Sequence, residues 1–285
     1  MKADLLALTA IAMWASLASL SIELSHIPAF LLTGLGLLVG SLIAVPLSRG
    51  RITQWRIPLP TLLVGIYGLF GFHFLLFLAL RHAPALEANL LNYLWPLGMV
   101  VMAPLFLKDM RLHSRHVLAA LIGFAGAATA ILGQDGAHSL TNGFESGYLL
   151  ALASAFVWAS YSLMTRRLPH FPTAAVGTFA VASAFLSLCC HFLLEPAVSL
   201  TKHDLLLIAL LGLGPLGAAL YLWDAALKRG DARHIGLLSF LTPLLSTVAL
   251  LWLRAEPPSL SVLAAAVLIV GAAVLGSRPE SDCRP

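Results

Sequence analysis

The chain alternates about ten apolar stretches, each near twenty residues long, with short breaks that hold its charge. A helix of ~20 apolar residues at 1.5 Å rise crosses a hydrocarbon core of roughly 30 Å. Hydrophobic residues make up 59% of the 285 and charged residues 11%, with a mean hydropathy of +0.91. A water-soluble domain of this length needs far more polar surface. Lipid offers the backbone no hydrogen bonds, so each stretch must satisfy its own, as a helix does. The pattern predicts an all-α polytopic membrane protein with almost nothing outside the bilayer.

The spans fall near 3–22, 28–47, 59–80, 86–106, 115–133, 146–165, 173–194, 204–226, 234–253 and 258–276. Charge, Pro or Gly marks their ends: Asp4 and Glu23 bracket the first, Pro28 and Arg49 the second. Lys2 before an apolar run with small residues has the look of a signal peptide. The run is longer than a usual signal core and its sequence recurs later, so it is read as a span.

Lysine and arginine give an independent test. With the N-terminus on side A, that side holds Lys2, Arg49, Arg51, Arg56, Lys108, Arg111, Arg115, Arg166, Arg167, Lys228, Arg229, Arg233, Arg278 and Arg284. Side B holds Arg81, Lys202 and Arg254. The ratio is fourteen to three, and one missed span would level it. The positive-inside rule then puts both termini in the cytoplasm. This bias accounts for the net charge of +4, which therefore does not indicate nucleic-acid binding. Cys189 and Cys190 are adjacent in span seven and Cys283 is in the tail, a spacing that fits neither a disulfide framework nor a zinc site. No phosphate loop, metal-ligand cluster or nucleophile–base constellation appears in the sequence, so no cofactor or metal is expected.

Two segments recur. Met13-Trp14-Ala15-Ser16 in span one matches Val157-Trp158-Ala159-Ser160 in span six, 144 positions on. Ala79 to Leu97 aligns without a gap on Ala226 to Leu244, 147 positions on, with eight of nineteen residues identical, Pro96 and Pro243 among them. Five spans per half is an odd number, so the second half must enter the membrane inverted. Inverted repeats are a device of secondary transporters, whose site lies near the midplane between the halves. The expected halves are 1–135 and 144–285, joined by the polar linker Gln134 to Glu145 and forming one functional unit around a central cavity. That arrangement allows a monomer.

Asn89, Asn92, Tyr93 and Pro96 fall on one face of span four, which must look into protein or a wet cavity. Pro96 frees the carbonyl of Asn92 and kinks its helix, and Pro243 does the same to that of Ser239 in span nine. Each half should then present an unsatisfied carbonyl beside a polar side chain at mid-membrane. Interhelical packing by Asn and Ser is the plainer alternative. Trp14, Trp95 and Trp158 lie near span centres, not at the interface where Trp usually sits. In span six, Ser154, Trp158 and Tyr161 share a face, and such aromatic walls suit a ring or a large apolar side chain. Simple packing by large side chains is again the alternative.

His73, with Phe77 one turn on, is a buried imidazole able to sense protons or to hydrogen-bond a neighbour. Asp224 is the other in-span candidate for proton coupling, although Lys228 at i+4 offers it a local ion pair. Glu87 opens span four and reads as interfacial. Gly36-x-x-x-Gly40, Ala119-x-x-x-Gly123 and the cluster Gly212, Gly214 and Gly217 allow close helix contact. With no acidic residue at mid-membrane, transport without proton coupling is expected.

Ten short spans in a five-plus-five inverted repeat, with Trp-Ala-Ser in spans one and six, resemble the drug/metabolite transporter superfamily in its EamA-type branch, over essentially the whole chain. Glu87-Ala-Asn-Leu-Leu-Asn-Tyr-Leu-Trp-Pro-Leu97 is more specific, and is similar to the span-four motif of the aromatic amino acid exporters of that superfamily. The resemblance implies a ten-helix basket that moves amino acids out across a bacterial inner membrane. It points to Asn89, Asn92, Tyr93, Trp95 and Pro96, with Trp14 and its repeat Trp158. The second-half counterpart, Ser239-Phe-Leu-Thr242-Pro243, lacks the Asn and Trp, so recognition should come mainly from the first half.

The leading expectation is export of aromatic and other neutral apolar amino acids by alternating access. Efflux of hydrophobic drugs or metabolites uses the same fold, but the span-four asparagines suit a zwitterion better. A membrane-embedded enzyme would need a buried Ser–His or metal cluster, and a receptor would leave the mid-membrane polar residues unexplained.

Overall fold

The computed structural model describes residues 2–107, 110–135, 145–254 and 257–277, so residues 136–144 of the linker and Cys283 lie outside the described residues. Among the described residues all regular structure is helical. The first segment is α1 (Lys2–Ala15) and α2 (Leu17–Glu23), interrupted at Ser16. Next come α3 (Ala29–Ser41) and the short α4 (Ala44–Leu47). A π-turn over Tyr67–Gly71 joins α5 (Leu59–Ile66) to α6 (Phe72–His82). The first half closes with α7 (Ala85–Asn92), α8 (Trp95–Phe106) and α9 (Ser114–Asp135). The second half begins with α10 (Ser146–Met164) and α11 (Val176–Leu194). Another π-turn, Gly214–Ala218, joins α12 (Lys202–Leu213) to α13 (Ala219–Leu227). The last helices are α14 (Ala232–Leu238), α15 (Leu241–Arg254) and α16 (Leu260–Ser277).

Eight helical segments among the described residues are long and apolar enough to cross a membrane, and Leu260–Gly276 is a shorter apolar helix. The bend at Ser16 divides the first segment into helices of 14 and 7 residues. Prolines set several starts: Pro28, Pro58 and Pro84 are the N-caps of α3, α5 and α7, where a missing N–H leaves nothing unpaired. At α12, Thr201 and Asp204 form a capping box.

Both proline-bearing segments are interrupted where the sequence places a kink. Between α7 and α8 the Leu94 amide reaches only three residues back, to the Leu91 carbonyl (3.1 Å), and Pro96 follows in the first turn of α8. Between α14 and α15 the Phe240 amide bonds Leu237 O (3.3 Å) and the Thr242 amide bonds Ser239 O (3.0 Å). The expectation of an unsatisfied Ser239 carbonyl is therefore corrected. The chain tightens to i→i+3 spacing, and the Thr242 N–H takes the acceptor that Pro243 releases.

Equivalent features recur at one displacement. The π-turns begin at residues 67 and 214, and α6 and α13 at 72 and 219, each pair 147 positions apart by subtraction. Helix contacts are reciprocal as well: α1 packs on α13 as α10 packs on α6, and α3 on α12 as α11 on α5. α3 lies against α11, and α9 against α16.

Glycine makes the tightest of these contacts. A Cβ on Gly40 would stand 2.6 Å from the Leu216 carbonyl oxygen and 2.8 Å from that of Gly212, both rigid backbone. Gly40→Ala should therefore force α3 away from the second π-turn. A loss of about 1–3 kcal/mol is expected in thermal unfolding of the purified protein, as for other overpacked sites. An unchanged melting temperature would show that the contact yields freely.

Candidate functional site

A central cavity of about 700 Å³ draws its walls from both halves. Of the residues singled out in the sequence, Trp14, His73, Phe77, Asn89, Asn92, Tyr93, Trp95, Trp158 and Pro243 line it. Among the described residues its lining contains no Asp, Glu, Lys or Arg. One end reaches the surface at the exposed residues Ser25 and Ala85, next to the ends of α2 and α6.

Aromatic rings close the other end. Trp158 meets Trp14 at 5.8 Å and Trp95 at 6.3 Å, both edge-on, and Phe72 at 5.1 Å in a tilted arrangement. Trp223 lies behind them, 5.1 Å from Trp14 and 5.7 Å from Trp95, and is 2% exposed. Indole N–H groups fix two of the rings: Trp14 Nε1 donates to Pro215 O (3.1 Å), and Trp223 Nε1 to Ser162 Oγ (3.2 Å). The edge-on pairs Trp14–Trp158, Trp95–Trp158 and Trp95–Trp223 suit the aromatic quadrupole. The closed end is tied again at Asp224, whose carboxylate accepts from Thr173 Oγ1 and Lys228 Nζ, both at 2.7 Å. Lys228 also donates to Phe171 O and sits 3.7 Å over that ring.

The polar wall groups are oriented by their neighbours. His73 Nδ1 lies 2.6 Å from the Leu69 carbonyl. A carbonyl only accepts, so Nδ1 carries the proton and Nε2 is left as an acceptor when the ring is neutral. The Ser154 hydroxyl lies between two acceptors, 2.7 Å from the Ala151 carbonyl and 2.9 Å from Asn92 Oδ1, and so holds the Asn92 side chain in place.

Several expected residues lie elsewhere. Tyr161 does not line the cavity: its ring fills the notch left by Gly68, where an added Cβ would be 2.1 Å away. Ser239 is fully buried, its hydroxyl donating to Gly236 O, so it offers nothing to the cavity. Pro96 is buried in the first turn of α8, and Asp224 serves the closed end as an ion pair. Glu87 is 9% exposed, and Tyr148 of α10 donates to it. Four polar lining residues were not singled out: Ser25, Thr33, Thr242 and Ser246. Thr242 and Ser246 stand one turn apart around Pro243, a spacing that a search for hydroxyls beside the second proline would have found.

A buried carboxylate ties the halves near the open end. Glu195, at the end of α11, accepts from the amides of Phe30 (3.0 Å) and Leu31 (3.2 Å) in the first turn of α3. Arg81 of α6 reaches it at 2.9 Å and His191 at 3.1 Å. Its side chain is 0% exposed. A carboxylate is favoured at a helix N-terminus, where the amides and the helix dipole both meet it. His26 and Asp204 make a further cross-half contact at 3.2 Å.

The model of the EamA-like transporter family matches residues 1–132 and again 145–278, one match in each half. The chain belongs to the EamA-like transporter family. This EamA-like chain is 41% identical over 279 residues to the aromatic amino acid exporter YddG of Ancylobacter novellus, covering 97% of each. To the aromatic amino acid exporter YddG of Escherichia coli it is 27% identical over 293 residues, covering 96% of each. A solved crystal structure, 40% identical in sequence, matches it with a TM-score of 0.89 over 96% of this chain and 95% of the other. The membrane-crossing helices and the family together make it a multi-pass membrane protein of a transporter family, not an enzyme.

Proposed function

We propose that this EamA-like transporter exports aromatic and other neutral apolar amino acids across the bacterial inner membrane by alternating access. The observation that carries the reading is a cavity walled by Trp14, Trp95, Trp158, Phe72 and Phe77 that holds amides, hydroxyls and an imidazole but no charged side chain. Its volume of about 700 Å³ falls within the roughly 300–1,000 Å³ of small-molecule sites. A net charge entering such a site would lose its hydration without a counter-ion. A zwitterion brings both charges and an apolar side chain for the aromatic wall. Relatives named as aromatic amino acid exporters support the same substrate class.

The bent first segment and the shorter last helix complete ten crossings. The family match in each half and the reciprocal packing support two inverted five-helix repeats, residues 1–135 and 144–285. The excess of Lys and Arg supports cytoplasmic termini. With that orientation the cavity opens to the periplasm and the tryptophan cluster closes the cytoplasmic end. One chain supplies the whole cavity, which supports a monomeric carrier set in the lipid bilayer.

Efflux of a hydrophobic drug would give the polar wall groups Asn89, Asn92 and Tyr93 nothing polar to meet in the substrate, so the amino acid reading is preferred. Its test is counterflow of labelled amino acids in proteoliposomes, with and without an imposed pH gradient. L-phenylalanine and L-tryptophan should exchange, L-lysine and L-glutamate should not, and the gradient should leave the rates unchanged. His73→Gln should weaken transport several-fold, by about 1 kcal/mol for one lost hydrogen bond, and remain insensitive to the gradient. A wild-type rate that follows the gradient, with His73→Gln abolishing the response, would instead make His73 the proton carrier.

A further inference from the structure

Equivalent residues of the two halves lie 147 positions apart, or 144 apart for α1 and α10. With one half inverted relative to the other, a contact between them has a counterpart at the opposite end of the molecule. Some contacts exist in both copies. A Cβ on Gly230 would stand 2.8 Å from Ala3 Cβ, and one on Gly147, the counterpart of Ala3, would stand 2.6 Å from the Cβ of Ala83, the counterpart of Gly230. Asp4 meets His234 at 3.5 Å, and the counterpart of that pair is Tyr148 donating to Glu87. Contacts made at both ends at once belong to parts that move as bodies, with α1 held beside α13 and α14, and α10 beside α6 and α7.

Another contact is one-sided. α8 packs on α14 at the closed end, whereas among the described residues α7 and α15 do not pack together. A Cβ on Gly236 of α14 would lie 3.2 Å from Met99 Cβ and 3.4 Å from the Pro96 carbonyl oxygen, and Gly236 and Met99 are both buried. The counterpart of Gly236 is Asn89, and that of Met99 is Ser246. Both line the cavity and are half-buried, and neither side chain has a hydrogen-bond partner among the described residues. The sizes are exchanged between the two pairs. A long side chain faces glycine at the closed end, and a short hydroxyl would face asparagine at the other.

We propose that Asn89 and Ser246 meet in a hydrogen bond that shuts the open end of the cavity when the carrier turns to its opposite-facing state. The inference rests on the inverted-repeat and alternating-access reading above. Rocking of the two bodies makes at one end the approach it undoes at the other, so α7 comes against α15 as α8 now lies against α14. While the end is open, both polar groups are solvated; on closing, each exchanges water for the other. Such a bond has a small net worth and is readily broken on the next cycle. The present closed end is sealed differently, by Met99 over Gly236 and by the tryptophan cluster.

The test is a disulfide between Asn89→Cys and Ser246→Cys, with Cys189, Cys190 and Cys283 replaced by Ser. A disulfide needs its Cβ atoms about 3.5–4.5 Å apart, a range the close approach at Gly236 would carry over to this pair. Oxidation in proteoliposomes during phenylalanine exchange should link the two cysteines and stop counterflow, and reductant should restore it. Asn89→Cys with Val248→Cys, which stands on the exposed side of α15, should stay unlinked. Ser246→Ala alone should slow counterflow about fivefold, the weight of one hydrogen bond, and should have no further effect in an Asn89→Ala background. A cysteine pair that stays reduced in folded protein, or that links no faster than the Val248 control, would overturn the proposal and leave the transport reading intact. Independent, additive losses from Asn89→Ala and Ser246→Ala would overturn the hydrogen bond. Wild-type protein that exchanges no phenylalanine would overturn the transport reading, and the disulfide, read without transport, would still judge the contact.

Discussion

Replacing Glu195 with Ala should lower the stability of the purified protein by about 3–5 kcal/mol, the usual loss when one partner of a buried ion pair is removed. The carboxylate is fully buried and meets four donors at once: two α3 amides, Arg81 and His191. Its loss leaves the α3 amides unpaired and detaches α11 from α3 and α6 at the open end. Glu195→Gln keeps an acceptor oxygen and the side-chain volume, so it should lose less. Arg81→Gln should lose less again, because that side chain is 41% exposed and the carboxylate keeps its other donors. Thermal unfolding in detergent, followed by tryptophan fluorescence, separates the three. A Glu195→Ala variant that melts with wild type would show that the cluster carries no net stability.

Trp158→Ala should have an effect of similar size, on the order of 3–5 kcal/mol for a buried Trp cut back to Ala. This ring touches Trp14, Phe72, Trp95 and Tyr161, so its removal opens a hole at the closed end of the cavity. Counterflow should fall below detection even at temperatures where the variant stays folded, because the same ring forms the wall a substrate meets. Trp158→Phe keeps much of the volume and should retain measurable counterflow. Full activity in Trp158→Ala would reduce the residue to packing alone.

The elements that were legible in the sequence are those whose signal is local. Apolar runs of a fixed length mark helices because lipid allows few other backbones. Pro96 and Pro243 mark interruptions because each lacks a donor. Trp14, Trp95 and Trp158 stood out as tryptophans away from the interface, and all three line the cavity. What stayed hidden depends on partners distant in sequence. Tyr161 shares a helix with Trp158, yet it turns to Gly68, 93 positions away, where the facing helix is bare of side chain. Glu195 sits in a short loop and looks solvated until the start of α3, 165 positions back, is brought against it. Ser239 illustrates a third kind of miss: removing a proline's N–H freed a carbonyl on paper, and a local change of turn took it up.

The two π-turns carry a consequence for which residues the cavity presents. A π-turn holds one residue more than the α-helix around it. Regularising Tyr67–Gly71 to an ordinary α-turn, with no residue lost, would swing all that follows by about 100° around the axis. Phe72, His73, Leu76, Phe77 and Leu80 form the α6 contribution to the lining, and all of them would leave it together. The surplus residue therefore acts as a frame marker, choosing which stripe of α6 the substrate reads without itself needing to touch the substrate. Gly214–Ala218 stands in the same relation to α13, where Leu220 faces the cavity and Trp223 backs it. A chain could thus change the chemistry of its cavity wholesale by switching either turn between π and α, with every side chain of the downstream helix left as it was.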